Sequence, residues 1–469
     1  MALSSDCAGS FSNVSEMPHS LCQNLHATYL ANCYDLLFSR GVGCRLASRH
    51  NQHKQNMKKE IMMMASLALG AGFIAQAQNN GQFNFGDWSK NSFTLFNAER
   101  DGAQNPYIQE LSLKFRGQFQ GGYVDPAGGI DRVMGGADGH GKRDNNEWRR
   151  FRIGAQAKVF EHFTLKGVWN IGGLDSRYKY KNGQWHRSST SSSVDELYIA
   201  GKFDPVVVNL GKHKPAYMGE YRTSGAKLIT LERSAIVNQL KAEKLYGLSI
   251  AGADKKATLQ WNVGIWTNGR RDANTWLEPS FNSDDGYLLG ASLGYATGDN
   301  SRLYIDYMHS TRNQGAQHPG TEYAGAGAQD VLALTWETEK NNLSFMAEAI
   351  AGFNVYEADS GGENVYGLVL MPSYRITPNW EAVARYQLSA GSNAVVADSR
   401  YYTTNGAFSG VCDLQHGLYF GANYYVSPQN PHALKVMFGA EYINSHGTDA
   451  DGNKGFTGWQ LSTGVRWDF

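Results

Sequence analysis

Cationic side chains recur at every second position in several segments of this 469-residue chain. Residues two apart share one face of a β-strand, so this spacing gives a strand a basic face. Arginine suits oxyanions because its planar fork donates paired hydrogen bonds and keeps its proton. We therefore expect a basic wall that attracts anions, made of Lys114, Arg116, Arg150, Arg152, Lys158 and Lys166.

Later segments carry acidic residues at the equivalent positions, interrupted by Arg385 and Arg466. A basic wall opposite a largely acidic one sets up a transverse field, which orients polar solutes and biases ion sign in a narrow pore. The plainer interpretation is that such charges only solvate a water-filled lumen. The acidic residues are Asp306, Glu348, Glu381 and Glu441.

Bond-making chemistry has little support in the sequence. Ser, His and Asp occur in connecting segments, but nothing marks an activated nucleophile, and the histidines there lack metal-ligand spacing. The sequence therefore predicts no enzymatic activity and no metal or cofactor. A barrel hydrolase and an adhesin are weaker alternatives, because the first needs a Ser–His–acid set at one rim and the second a plugged lumen or a large loop domain.

About sixteen segments alternate apolar and polar residues, and most have the length of about 9–13 residues with which a tilted strand crosses a bilayer. Charged residues are only 18% of the chain and aromatic residues 12%, which is typical of a membrane barrel. Since net charge is zero, it says nothing about partners. The segments are 109–123, 149–160, 162–171, 194–203, 205–213, 245–252, 257–266, 287–297, 301–310, 329–338, 342–352, 365–375, 379–389, 415–426, 432–442 and 457–469.

The last of these segments is the clearest. Counting back from Phe469, every second residue is apolar except Thr463, and the chain finishes on an aromatic residue. This pattern is typical of the C-terminal strand of bacterial outer-membrane barrels. The alternative is the buried terminal strand of a soluble sandwich.

Short and long connectors alternate between the segments, as in barrels with short turns on one rim and long loops on the other. Lipid offers an open edge strand no partner, so the strands must close into a ring. The sequence therefore predicts an all-β fold, a transmembrane antiparallel β-barrel spanning 109–469. At this strand number the lumen is wider than side chains can fill, so a channel follows.

The region before the barrel divides into three parts. Residues 57–77 combine a basic start, a short apolar run and a small-x-small ending, which is typical of a secretory signal peptide. Residues 1–56 precede this start and are interpreted as a mis-assigned upstream extension, with a genuine extension as the alternative. Residues 78–108 lead into the barrel and receive no assignment.

Several short motifs between Arg149 and Gly252 resemble the phosphate-selective porins of the porin O/P family. They are Arg149-Arg150-Phe151-Arg152-Ile153-Gly154, Gly211-Lys212-His213-Lys214-Pro215, Ser224, Glu232-Arg233-Ser234 and Tyr246-Gly247-Leu248. The resemblance implies a sixteen-stranded and usually trimeric anion channel whose third loop folds inward and narrows the pore. The third long connector, 214–244, falls where that loop should be.

In the family this loop supplies hydroxyl and cationic groups to the anion. Ser224 and Arg233 stand at matching positions, while Tyr221 replaces an expected lysine and Gly225 an expected serine. These departures affect the expected selectivity for phosphate more than the expected passage of anions. The residues expected at the constriction are Arg222, Ser224, Lys227 and Arg233.

We therefore expect an outer-membrane porin that lets small anions, such as phosphate, diffuse passively. Its expected partners are those anions, the lipid bilayer with lipopolysaccharide, and two further copies in a homotrimer, but no nucleic acid. The alternative is a general-diffusion or sugar-facilitating porin without anion selectivity. Aromatic side chains that turn inward, with Trp185 and Trp266 as candidates, would be its sugar platforms.

Overall fold

The computed structural model describes residues 92–102, 105–126, 144–171, 176–181, 184–189, 192–267, 286–311, 326–355, 363–396, 411–447 and 457–469. Nineteen strands and two short helices lie in these ranges. The strands are β1 (Thr94–Asn97), β2 (Ile108–Pro126), β3 (Asp144–Val159), β4 (Phe163–Asn170), β5 (Ser176–Lys181), β6 (Gln184–Ser189), β7 (Ser193–Phe203), β8 (Val206–His213), β9 (Leu245–Ala253), β10 (Leu259–Thr267), β11 (Tyr287–Gly298), β12 (Ser301–Ser310), β13 (Ala328–Lys340), β14 (Leu343–Val355), β15 (Val365–Arg375), β16 (Trp380–Val396), β17 (Val411–Tyr425), β18 (Leu434–His446) and β19 (Gly458–Asp468). The helices are α1 (Gly219–Arg222) and α2 (Ala235–Leu240).

All strands except β5 and β6 belong to one antiparallel sheet of 17 strands. One of these, β1, is a short addition to β2, so sixteen strands form the ring. The ring closes because β19 pairs with β2 from Gly458↔Pro126 to Asp468↔Arg116. The predicted closed sixteen-stranded barrel is confirmed, and each predicted strand corresponds to one of these sixteen.

Alternation along the strands separates two faces. On β12 and β13 the outward Ile305 and Leu332 are 49% and 46% exposed, while the inward Asp306 and Val331 are each 1% exposed. The outward face is apolar because it contacts lipid chains instead of water. Three tryptophans lie on this outward face: Trp336, Trp380 and Trp459.

Two β-bulges change this alternation. Gln118 pairs with Arg150 and Phe119 with Trp148, which leaves Arg149 without a partner across the ladder. Asp195 is skipped in the same way between β4 and β7. An extra residue in one strand re-aims its side chain, so two adjacent residues face the lumen at each bulge. Simple alternation does not predict this.

The unassigned lead-in contains β1, which continues the line of β19 along β2. The Phe469 backbone N–H donates to the Phe115 carbonyl at 2.8 Å, and Leu113 N–H donates to the Phe93 carbonyl at 2.7 Å. The Phe93 and Phe469 rings stack with centroids 5.0 Å apart. The start of the described chain and its last residue thus meet within the barrel wall. The predicted signal peptide, 57–77, and the preceding 1–56 lie outside the described residues.

Two connectors differ from the prediction. The connector after β4 contains the β5–β6 hairpin, in which Tyr180 pairs with Trp185. Strands β16 and β17 extend to Val396 and begin at Val411, so the connector between them is shorter than the predicted 390–414.

The third long connector, residues 214–244, contains α1 and α2 and contributes to a buried apolar cluster. Ile236, Val237 and Leu240 of α2 have no exposed surface and pack with inward side chains of the later strands. The inner face of the later strands was expected to be a largely acidic wall. It is instead apolar where the connector covers it, since an apolar strand face needs an apolar partner. The strand residues in this cluster include Met308, Val331, Ala333, Met346, Ile350, Val369 and Met371.

Candidate functional site

The start of segment 214–244 binds two of the predicted acidic residues. Asp306 Oδ2 accepts hydrogen bonds from Met218 N–H at 3.0 Å and from Arg222 Nη2 at 2.6 Å. Glu348 Oε1 accepts from Gly219 N–H at 2.5 Å, and its Oε2 accepts from Glu220 N–H at 3.2 Å. These carboxylates therefore satisfy the backbone N–H groups of the first turn of α1, which no helical carbonyl can reach.

The middle of the segment is bound by cations of the last two strands. Lys435 Nζ donates to the Leu228 carbonyl at 2.6 Å, and Arg466 Nη1 donates to the Gly225 carbonyl at 3.2 Å. Arg466 Nη2 also donates to the carbonyl of Leu231. Lys435 has no exposed surface and Arg466 is 2% exposed, so both cations are engaged by the backbone of the segment.

Both helices of the segment are bound to β16, and Arg385 of β16 also bonds to Glu441 of β18. Arg385 Nη1 donates to Glu220 Oε1 at 2.9 Å, and its Nη2 donates to Glu441 Oε1 at 3.1 Å. Gln387 accepts from Ala235 N–H at 2.7 Å, at the start of α2. Glu381, the fourth predicted acidic residue, bonds instead to side chains of neighbouring strands, among them Tyr425 at 2.5 Å.

These contacts correct the expectation of an acidic wall facing the solute. Asp306, Glu348, Glu381 and Glu441 are 1%, 0%, 6% and 8% exposed. Two of the four, Asp306 and Glu348, are covered by segment 214–244, because these carboxylates satisfy the N–H groups and the arginine that the segment brings. The transverse field between two open walls is therefore not the arrangement that the described residues form.

The predicted basic wall is more open, but most of its charges are paired. The side chains of Arg116 and Lys166 are each 23% exposed. The ion pairs are Arg116 with Asp468 at 2.8 Å, Arg152 with Asp195 at 2.8 Å, Lys158 with Glu110 at 2.6 Å and Lys166 with Glu196 at 2.6 Å.

Two wall cations stand apart from these pairs. Lys114 and Arg150 have no carboxylate partner within the described ranges, and Arg150 Nη1 donates to Gln118 Oε1 at 2.5 Å. The Arg150 guanidinium also lies against segment 214–244, since a Cβ placed on Gly225 would be 3.7 Å from its Cζ. Arg150 therefore supplies uncompensated positive charge beside the segment.

The bulges add residues that alternation did not predict. Arg149 shares its side of β3 with Arg150, and its Nε donates to Glu232 Oε1 at 2.9 Å. Asp195 pairs with both Arg152 and Lys244. The side chains at these bulges point inward because each bulge adds one residue to its strand. The only sequence signal for this orientation is the pair of adjacent charged residues at each bulge.

The four residues expected at the constriction occupy different environments. Lys227 is exposed and Ser224 is half-buried. Arg222 is bound to Asp306, and its Cζ lies 3.7 Å from the centroid of the Tyr304 ring. Arg233 is only 8% exposed, because its Nε donates to the Glu220 carbonyl and its Nη2 to the Thr223 carbonyl at 3.1 and 2.7 Å.

Lys214 opens the segment and is an additional cation of this region. Its Nζ donates to the carbonyls of Arg222 and Thr223 at 3.3 and 3.0 Å and lies 4.4 Å from the Tyr221 ring centroid. Burial, together with the nearby positive charges of Arg233 and Lys244, lowers the pKa of Lys214 to about 6.

Trp266 turns inward, as expected of a candidate sugar platform, but it is 1% exposed. Its Nε1–H donates to His213 at 3.1 Å, and its ring meets Tyr217 edge-on with centroids 5.7 Å apart. Because Tyr217 of the segment covers it, its face is not available for stacking on a solute. The side chain of Trp185 lies outside the described residues.

Within the described ranges, no three His, Cys, Asp or Glu side chains are grouped so that they would bind a metal ion. None of the helices in the described part of the chain is long and apolar enough to cross a membrane. The site thus consists of a covered acidic face, a more open basic face and a connector fixed between strands.

Known proteins resemble this chain in sequence pattern and in fold. A family model described as phosphate-selective porin O and P matches residues 126–458. None of the curated proteins compared with the chain matches it. Among solved structures, the chain is similar to OmpF of Salmonella typhi in complex with daunomycin, with 13% identity, coverage of 77% of this chain and 98% of that one, and a TM-score of 0.49.

Two other solved structures are similar to a comparable extent. The outer membrane channel DcaP of Acinetobacter baumannii has 11% identity and a TM-score of 0.47, with 77% of this chain and 97% of that chain covered. The anion-selective porin from Comamonas acidovorans has 11% identity and a TM-score of 0.46, with 76% and 99% covered.

Proposed function

Since the chain belongs to the family of phosphate-selective porins O and P, we propose that it passes small anions, phosphate among them, by passive diffusion. The chain is a porin, a channel of the bacterial outer membrane. No bond is made or broken in this activity. Solutes follow their gradient, and the charges that line the narrowest passage determine which ions enter.

One observation carries the proposal: segment 214–244 covers Asp306 and Glu348 of the later strands, while cations of the β2–β4 wall stay partly exposed. Asp306 and Glu348 are at most 1% exposed, whereas the side chains of Arg116, Arg149 and Lys166 are 20–23% exposed. In a passage with low-dielectric walls, the charges that remain exposed dominate the field felt by an ion. That field attracts anions.

We propose that the passage is narrowest between segment 214–244 and the β2–β3 wall. The groups there are Arg150 on the wall, the Ser224 hydroxyl and the exposed Lys227 ammonium on the segment. A guanidinium and a hydroxyl together can donate several hydrogen bonds to one oxyanion, which offsets part of the hydration that the ion gives up.

Arg222 and Arg233 have a different role in this proposal. Arg222 is neutralised by Asp306, and Arg233 is bound to backbone carbonyls of its own segment. We assign them to holding the shape of the segment rather than to direct contact with the anion. The direct contacts then rest on Arg150, Ser224 and Lys227.

The alternative is general diffusion or sugar passage through the same barrel. The paired charges of the basic wall favour it, because Arg116, Arg152 and Lys166 each have a carboxylate partner. The covered position of Trp266 weighs against the sugar form of this alternative. A homotrimer is proposed from the family alone.

Planar-bilayer conductance of the refolded porin tests the proposal. Under one salt gradient, the reversal potential is measured with chloride, phosphate and a bulky organic anion. The proposal predicts a potential of the sign set by anions, and partial block of chloride current by added phosphate. A potential near zero with both small and large anions would instead indicate general diffusion.

A further inference from the structure

The two helices of segment 214–244 are joined by one buried carboxylate. Glu220 lies in α1 and is 1% exposed. Its Oε2 accepts hydrogen bonds from Ser234 N–H at 2.8 Å and from Ser234 Oγ at 2.7 Å, just before α2 begins. Any group that holds Glu220 therefore holds both helices.

Arg385 of β16 is that group. Its Nη1 donates to Glu220 Oε1 at 2.9 Å and to the Glu232 carbonyl at 2.7 Å, while its Nη2 donates to Glu441 Oε1 at 3.1 Å. The Arg385 side chain is 2% exposed and that of Glu220 has no exposed surface. A guanidinium so enclosed does not meet a solute, so its effect on permeation must pass through the groups that it holds.

From this geometry we infer that Arg385 is a positioning residue that seats segment 214–244 against β16 and β18. By doing so it keeps the carboxylates beneath the segment covered, and the selectivity that this covering produces rests on the proposed function. Arg385 lies between two carboxylates. Without it, Glu220 and Glu441 would face each other with no cation between them, and their repulsion would lift α1 from the wall.

Arg385→Met tests the inference. Segment 214–244 should shift, acidic side chains should become accessible, and the anion-to-cation permeability ratio should fall by at least about threefold, since ion sign follows the lining charge. Single-channel current should also become noisier. Arg302→Met is the matched control, because Arg302 lies on the inner face but its described hydrogen bond goes to the Ala257 carbonyl in a turn.

Glu220→Gln separates positioning from direct charge effects. If Arg385 and Glu220 acted only through their own charges, removal of a negative charge would raise the anion preference. If Arg385 holds the segment through its ion pair with Glu220, Glu220→Gln lowers the anion preference. A rise in the ratio would overturn the inference.

A covalent tether provides the rescue experiment. A Cβ placed on Gly367 of β15 would lie 3.1 Å from Ile236 Cβ in α2, near the separation of about 3.5–4.5 Å that disulfides require. In a Cys412→Ala background, Ile236→Cys with Gly367→Cys should form a disulfide. Added to Arg385→Met, the oxidised tether should restore the wild-type anion-to-cation permeability ratio and the low noise of the single-channel current. Reduction of the disulfide should abolish this rescue.

The two hypotheses fail in different ways. If the wild-type porin shows no anion preference, the proposed function fails, while the tether still tests positioning through the current noise. If Arg385→Met behaves like Arg302→Met in both ratio and noise, the positioning role is wrong. Should Arg385→Met not fold, the tethered variant answers the question, because failure of the oxidised tether to restore the folded channel also overturns the inference.

Discussion

Arg152 Nη2 lies 2.8 Å from Asp195 Oδ1, and Asp195 also binds Lys244 at the end of segment 214–244. One carboxylate thus neutralises part of the charge of two cations from different elements. It does so because the bulge at Asp195 places it beside Glu196 on the inner face of β7. Asp195 therefore limits how strongly the basic wall attracts anions.

Asp195→Asn should raise the anion preference. The substitution keeps the size of the side chain but leaves Arg152 without a carboxylate partner, so the positive potential near the segment increases. We expect the anion-to-cation permeability ratio to rise about twofold, an effect that high salt reduces by screening. Asp204→Asn is the control, because Asp204 lies in a turn and its side chain is 81% exposed. An equal rise in both variants would contradict the role of Asp195.

Arg150→Gln should lower the anion preference more than any other single change on the wall. Arg150 bonds to Gln118 rather than to a carboxylate and lies against Gly225, so its positive charge is placed directly beside the proposed narrow passage. Reversal potentials in a chloride gradient measure the effect. Lys202→Gln, near the end of β7 and with its side chain 68% exposed, serves as the control. If phosphate block of chloride current persists unchanged in Arg150→Gln, the anion contacts lie elsewhere.

Arg233 and Lys227 should separate stability from selectivity. Arg233→Met removes charged hydrogen bonds to two buried carbonyls, which should cost about 2 kcal/mol of folding free energy. Lys227→Met removes an exposed ammonium, and its folding free energy should stay within about 0.5 kcal/mol of wild type while its anion preference falls. Urea unfolding followed by tryptophan fluorescence, paired with reversal potentials, compares the two. A loss of selectivity in Arg233→Met without loss of stability would restore Arg233 to direct contact with the anion.

Acidification should increase the anion preference around pH 6. The pKa of Lys214 is lowered to about 6, so Lys214 is largely neutral at pH 7.5 and gains its charge as the pH falls through 6. Its surroundings include the Tyr221 ring and the cations Arg233, Lys244 and Arg116, which lower its pKa, while Glu196 acts in the opposite direction. Measurements at pH 7.5 and 5 in the wild type and in Lys214→Met isolate the contribution. The part of the pH response centred near 6 should be absent from the variant.

The strands, their order and their two faces were determined by the sequence itself. Alternation along a strand depends only on neighbouring residues, so the exposed Ile305 and the buried Asp306 can be assigned from spacing. The alternating turns and loops place successive strands side by side. In lipid, the backbone groups of the edge strands find hydrogen-bond partners only if the sheet closes into a barrel. For this reason all sixteen strands of the ring were predicted from the sequence.

The charge that a solute meets was decided only by tertiary structure. Glu348 and Gly219 are 129 residues apart, and nothing local indicates that a helix of the third connector would cover this carboxylate. The same holds for Arg385, whose partners Glu220 and Glu441 come from two other elements. Spacing predicts which side chains face inward, but their pairing depends on contacts between distant segments. Because segment 214–244 covers Asp306 and Glu348, a solute does not meet the predicted acidic wall. The bulges at Arg149 and Asp195 place two further charged side chains on the predicted basic wall.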